Sequence, residues 1–302
     1  MKIPNNFIEK YSKLVDNKEE FLDILLKPLP KTFRVNTLKT SVQEVKSRFK
    51  NYGIKITQMP YYKEAFISEI QNIGETLEHF IGYIYSQEIT SMLPALAIKE
   101  ELRKASFVLD ACAAPGSKTT QLAALMKNKG LIIANDQDYI RLKALKFNLE
   151  RIGVLNTTIT NKNLLFFPEL KFDVVLLDAP CSNEGTTRKN PEIFSIWSEN
   201  YSKNLSHLQK KLILKAYDLL SENGAMIYST CAFAPEENEE VIDFLLDKTS
   251  AKLEKIELPG IKTMPGITRW NNLEFNSELN KTIRILPHHN DTGGFFIAKI
   301  KK

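Results

Sequence analysis

Five short apolar runs, separated by stretches long enough for helices, constrain this chain more than any other feature of its sequence. They are Phe107-Val108-Leu109-Asp110, Leu131-Ile132-Ile133-Ala134-Asn135-Asp136, Thr157-Thr158-Ile159-Thr160 and the runs over residues 172–177 and 225–229. Strands of that length alternating with helical patterns predict a parallel sheet covered by helices on both faces. The expected fold class is therefore α/β, a doubly wound and mainly parallel sheet. Open sheets of this kind bind ligands at the carboxyl edge of their strands. At that edge this sequence places Asp110, Asp136, Asp178 followed by Cys181, and Cys231.

Ahead of the alternation the pattern differs. Residues 7–26 read as helical, Phe33-Arg34-Val35-Asn36-Thr37 as a short strand, residues 41–52 as a helix closed by Gly53, and residues 54–57 and 65–67 as two further strands. Ser41, with Glu44 three residues on, has the capping-box spacing that starts a helix. Residues 1–78 are thus expected to form a small α+β appendage and residues 79–302 the larger domain, entered through a helix over residues 87–103. Within that domain Leu142, Leu145, Leu149 and Ile152 recur at helical spacing and Gly153 closes the element. Arg141, Lys143, Lys146 and Arg151 take its other faces, where solvation or RNA contact would suit them. A last strand, residues 295–300, follows the Gly293-Gly294 turn.

Composition narrows the class. The 302 residues are 43% hydrophobic and 25% charged, ordinary for a globular chain. No apolar stretch approaches the ~20 residues that span a bilayer, and residues 1–6 hold no signal core. A cytoplasmic protein is expected, without a membrane partner. Three cysteines, an odd number with no CxxC or Cys/His zinc spacing, exclude a disulfide framework and suggest reduced thiols with no metal. The formal net charge of +5 permits a polyanionic partner without requiring one.

The segment Asp110-Ala111-Cys112-Ala113-Ala114-Pro115-Gly116-Ser117-Lys118-Thr119 joins the first core strand to a helix. Small residues and one glycine let the backbone approach a ligand closely. A P-loop would need glycines where Cys112 and Ser117 stand, and a dinucleotide fingerprint needs more than one glycine. Asp136, at the next strand end about twenty residues on, is where an acid binds the hydroxyls of an adenosine ribose. An adenosyl ligand without a pyrophosphate fits, and S-adenosyl-L-methionine is the foremost candidate.

Those residues, together with Leu177-Asp178-Ala179-Pro180-Cys181-Ser182 and Ser229-Thr230-Cys231, resemble the Sun-type RNA cytosine-5 methyltransferases. Weaker matches at residues 33–39, 87–94, 287–288 and 294–298 extend the likeness over most of the chain. The resemblance implies a class I methyltransferase fold and S-adenosylmethionine contacts from Cys112, Ala113, Ala114, Pro115, Gly116, Ser117, Lys118, Asp136, Arg141 and Asp178. One position departs: Asn163 stands where the family usually places an acid facing the adenine.

Carbon 5 of cytosine is too weak a nucleophile to attack a methyl sulfonium unaided, so a thiolate must first add to carbon 6. An acid at ring nitrogen 3 then offsets the charge that develops. Asp178 suits the second task. The resemblance assigns attack to Cys231, product release to Cys181 and a place near the base to Lys118; a DNA-type mechanism would attack from Cys181 instead. Arg34 and Lys39 in the appendage, and Arg188 and Lys189 beside Phe194 and Trp197, are the expected RNA contacts. The reading is a monomeric RNA cytosine-5 methyltransferase acting on tRNA. A ribosomal RNA enzyme and a catalytically silent RNA-binding factor are its alternatives.

Overall fold

The computed structural model describes residues 3–302. The chain divides into two compact units, one of Pro30–Leu176 with Leu258–Gly260, the other of the residues up to Leu29 with Leu177–Glu257 and Ile261–Lys302. The expected boundary near residue 78 does not coincide with this division. Phe7, Tyr11 and Phe21 share one core with Phe194, Phe233 and Leu286, so the first helices belong with the end of the chain.

The Pro30–Leu176 unit carries two sheets. Strands β1 (Lys31–Val35), β2 (Ile56–Met59), β3 (Tyr62–Ser68) and β4 (Ile84–Ser86) pair antiparallel in the order β2-β3-β1-β4. Phe33 faces Phe66 across the β1–β3 ladder, and their rings stack at 5.4 Å. Val45 and Phe49 of the helix Val42–Asn51 bury against them. That helix starts as its spacing requires, with Ser41 Oγ accepting the Glu44 N–H at 3.1 Å.

The second sheet is parallel. Strands β5 (Phe107–Asp110), β6 (Leu131–Asn135), β7 (Thr157–Thr160) and β8 (Phe172–Asp178) run in the order β7-β6-β5-β8, with Val108 opposite both Ile132 and Val174. Leu142, Leu145 and Leu149 of the helix Tyr139–Ile152 pack on Ala113, Ala114 and Ala134. Gly153 ends that helix in the left-handed conformation at φ 80°. The single helix expected over residues 87–103 is two, Ile89–Ala97 and Lys99–Leu102, broken at Ile98.

Contacts within this unit bear on two of the expected RNA contacts and correct one, Arg34. Arg34 is fully buried, and its guanidinium donates to Gln87 Oε1 at 3.0 Å and Thr120 Oγ1 at 2.9 Å. Lys39 Nζ donates to the carbonyls of Arg151 at 2.8 Å and Ile81 at 3.2 Å, neutralising the carboxyl end of the Tyr139–Ile152 helix. Both hold the small sheet to the parallel one; buried Arg34 is thereby withdrawn from RNA, whereas Lys39 stays exposed with a third N–H to offer.

The other unit contains β9 (Leu220–Thr230), β10 (Lys252–Glu254), β11 (Met264–Pro265), the hairpin β12 (Arg269–Trp270) and β13 (Leu273–Glu274), β14 (Ile283–Ile285) and β15 (Phe295–Lys301). β15 is antiparallel to β9, β10 and β14, and it sets Phe296 opposite Thr230 and Ile297 opposite Ser229. Among the described residues no helix is long and apolar enough to cross a membrane.

Candidate active site

In the unit that begins at Leu177, the end of β8 is tied to the end of β9. Ala179 N–H donates to Ser229 O at 2.9 Å, and Ser229 Oγ donates to Asp178 Oδ1 at 2.7 Å. Each of the loops that follow carries a thiol. Cys181 Sγ lies 3.0 Å from Cys231 Sγ, with Asn183 Oδ1 3.1 Å from Cys231 Sγ. Neither is in a disulfide; Cys181 is buried and Cys231 half-buried. The hydrogen bond to Cys231, reinforced by burial, pushes the Cys181 thiol well above its ordinary pKa. Cys181 is therefore held protonated beside the more accessible thiol.

Carboxylates that sequence reading passed over build the frame. Glu184 is fully buried and accepts five hydrogen bonds: Oε1 from Tyr11 Oη, Trp197 Nε1 and Ser202 Oγ, and Oε2 from the backbone N–H groups of Phe233 and Ala234. It thereby pins the loop after Cys181 to the loop after Cys231. Glu237 Oε2 accepts the Ser182 N–H at 3.0 Å and Gln209 Nε2 at 2.8 Å. Burial, with Glu184 nearby, raises its pKa to about 7. Gly185 closes the arrangement: its N–H donates to Cys231 O at 2.7 Å, and its carbonyl accepts the Gly294 N–H at 2.8 Å.

The loop after β5 lies in the Pro30–Leu176 unit. Ala113 N–H donates to Asn135 O, and Ala114 N–H donates to Asp136 Oδ2 at 3.1 Å. Asp136 is buried, and its Oδ1 accepts the Asp138 N–H at 2.9 Å. Arg141 stands 3.5 Å from Asp136 Oδ2 and donates to Ala114 O. Gly116 turns into the helix Ser117–Leu125 at φ 103°, where an added Cβ would meet Leu145 Cδ1 at 2.9 Å. Lys118 is buried with Nζ 3.2 Å from Ser91 Oγ.

Two family models match the chain, "16S rRNA methyltransferase RsmB/F" over residues 96–301 and "N-terminal domain of 16S rRNA methyltransferase RsmF" over residues 3–89. The chain belongs to the RsmB/F methyltransferase family. A "tRNA (cytosine(49)-C(5))-methyltransferase" of Pyrococcus abyssi is 45% identical over 100% of this chain and 97% of its own length. "Ribosomal RNA small subunit methyltransferase F" of Psychromonas ingrahamii is 38% identical over 100% of this chain, which spans only 63% of that relative. A solved "Methyltransferase Homolog Protein from Pyrococcus Horikoshii" superposes with a TM-score of 0.84 at 35% identity, covering 99% of this chain and 100% of that one. As an RsmB/F member the chain is an S-adenosylmethionine-dependent RNA cytosine-5 methyltransferase.

The loop residues fit that cofactor. Ala113, Ala114 and Gly116 keep the turn bare of side chains, and each oxygen of Asp136 takes one backbone N–H, leaving lone pairs for two hydroxyls. Asn163 is exposed and its Oδ1 accepts the Leu165 N–H at 3.0 Å, so one lone pair remains for an adenine amino group. Asn161 commits its amide to the Asp136 and Gln137 carbonyls.

On the RNA side the structure corrects the loop after Cys181. Arg188 is buried, donating to the carbonyls of Lys27, Pro28 and Thr292 and to Asp291 Oδ1 at 2.6 Å. Phe194 is core, 5.3 Å edge-on to Phe7, and Trp197 is held by Glu184. Lys189 alone of this group is an exposed cation.

Proposed function

We propose that this chain methylates carbon 5 of a cytosine in transfer RNA, with Cys231 as nucleophile and Cys181 as the thiol that releases product. The thiol contact at 3.0 Å carries the reading. Cys231, the more accessible of the two, adds to carbon 6. Asp178, oriented by Ser229, acts as the acid that gives a proton to ring nitrogen 3 as the thiolate adds, so that a neutral enamine forms, and takes it back on elimination. Bound S-adenosylmethionine supplies the electrophilic methyl group. Release requires the carbon-5 proton to leave as the Cys231 sulfur departs. Cys181, held as a thiol, protonates that sulfur and, as the thiolate, takes up the carbon-5 proton.

The cofactor contacts in this reading are the Cys112–Lys118 turn, Asp136, Arg141 and Asn163, with Lys118 near the base and Lys189 on the RNA backbone. Residues 1–78 help to hold RNA, with Lys39 the exposed cation among the contacts expected there, and the protein works as a monomer in the cytoplasm. One chain provides both thiols and Asp178, and the chemistry needs a compartment that keeps both thiols reduced.

Transfer RNA is favoured by the Pyrococcus abyssi relative, which this chain matches over nearly its full length. Bisulfite sequencing of RNA from cells with and without the gene tests it; a lost mark in ribosomal RNA alone would reassign the substrate. For the roles, Cys181→Ala is expected to accumulate a covalent protein–RNA species on denaturing gels, while Cys231→Ala forms none and methylates nothing. The opposite pattern would exchange the two thiols, and activity retained in Cys231→Ala would end the covalent reading.

A further inference from the structure

Away from the thiols, the Leu177–Lys302 unit gathers a second set of ligating side chains. His288 and His289 are consecutive on the short helix Pro287–Asn290, yet both turn Nε2 onto one atom, Asp16 Oδ1, at 2.7 and 2.8 Å. His289 Nε2 also lies 2.9 Å from Asp16 Oδ2, and the ring centroids are 4.2 Å apart. The two imidazole side chains are 2% exposed, whereas Asp16 is 45% exposed. Protein thus walls the cluster on the ring side, and solvent reaches it past the carboxylate.

We propose that Asp16, His288 and His289 form a binding site for a divalent transition-metal ion of the zinc class, with water completing its coordination. Their ligand atoms all lie within 4.8 Å of one another. Two imidazole nitrogens and one carboxylate oxygen are the donor set that suits zinc or cobalt; calcium and magnesium demand more oxygens. Neither Nδ1 has a hydrogen-bond partner, so only the Asp16 contact sets the ring tautomer and no acceptor-demanding group opposes a proton on Nδ1. Each ring can move its proton to Nδ1 and offer the Nε2 lone pair. A single carboxylate now serves two imidazole N–H groups, with Lys262 Nζ 3.6 Å from Oδ2, and the ion would take the position these donors share. Tetrahedral ligands ~2.0–2.2 Å from zinc stand about 3.3 Å or more from one another, so these must spread by roughly half an ångström. Asp16 lies on the bend between the helices Asn5–Tyr11 and Lys18–Leu25 and can supply that movement. The ion would staple the first helices to the segment before β15.

Cobalt(II) titration of the intact protein tests this, because its visible absorption reports coordination and thiolate ligation adds near-ultraviolet charge transfer. One equivalent is expected to bind with nitrogen/oxygen spectra. Asp16→Asn should weaken binding at least tenfold, and zinc should raise the melting temperature of the parent but not of this variant. Asp16 is exposed enough for the Asn to fold. His289→Ala, checked by circular dichroism, should lose the same spectrum. No bound cobalt, equal binding by Asp16→Asn, or a thiolate band placing the metal on Cys181 and Cys231 would each overturn the proposal.

Discussion

Glu184 performs no chemistry, yet five donors from four segments of the chain converge on its two oxygens. A carboxylate is tolerated in the interior only when donors satisfy its oxygens, as they do here. Glu184→Ala would leave those donors unpaired in the interior, and a loss on the order of 3–5 kcal/mol is expected by denaturant unfolding. Methyl transfer should fall with it, since the loops after both thiols lose their common anchor. Glu237 is the opposite case. Its folded pKa of about 7 lies above the ordinary carboxylate value, so the folded state holds the proton more tightly than the unfolded chain. Its effect on stability is absent below pH ~4.5, grows unfavourable as pH rises towards 7, and is complete above it. Glu237→Gln mimics the protonated form. It should melt higher than the parent at pH 8, by an amount equivalent to about 3 kcal/mol at most, and hardly differ at pH 4. Equal gains at both pH values would show that ionisation is not the cause.

At the scale of elements, the loops that carry the thiols are held as closely as the strands they leave. A Cβ on Gly185 would stand 2.2 Å from Gly294 O and 2.9 Å from Cys231 O, both backbone atoms that cannot yield singly. Gly185→Ala is therefore expected to displace the Cys231 loop, costing about 1–3 kcal/mol and most of the activity while cofactor affinity is kept. Calorimetry of cofactor binding beside a methylation assay separates the two effects. The strands β5 to β8 and the helix Tyr139–Ile152 were legible in the sequence because run length and apolar period are local properties. So were the thiols and Asp178, which stand at strand ends. β4 was not: three residues are too few to display a period, and only pairing with β1 defines it. Arg34 and Arg188 looked like RNA ligands because their partners lie 53 to 161 residues away. Glu184 and Glu237 sit in polar stretches that read as surface until distant donors are assembled around them.

Over the whole molecule, the first helices complete the unit that holds both thiols. Tyr11 bonds Glu184, Phe7 and Phe21 enter the core with Phe233, and Lys10 pairs with Glu236 at 3.0 Å. Deleting residues 1–29 should accordingly lower the melting temperature and loosen near-ultraviolet aromatic packing. An unchanged melting profile would make this segment a mere accessory. The same unit contains the chain's point of chemical vulnerability. Sulfur atoms 3.0 Å apart are already in contact, with little movement needed to reach the ~2.05 Å of a disulfide. Hydrogen peroxide would convert the Cys231 thiolate to a sulfenic acid with loss of hydroxide, and Cys181 would displace water from it to leave a disulfide. Mass spectrometry should then find one intramolecular link and two hydrogens lost, with methylation silenced until dithiothreitol restores it. On the proposed roles, the closeness that lets Cys181 assist release is also what would let an oxidant switch the enzyme off and a reductant switch it on again.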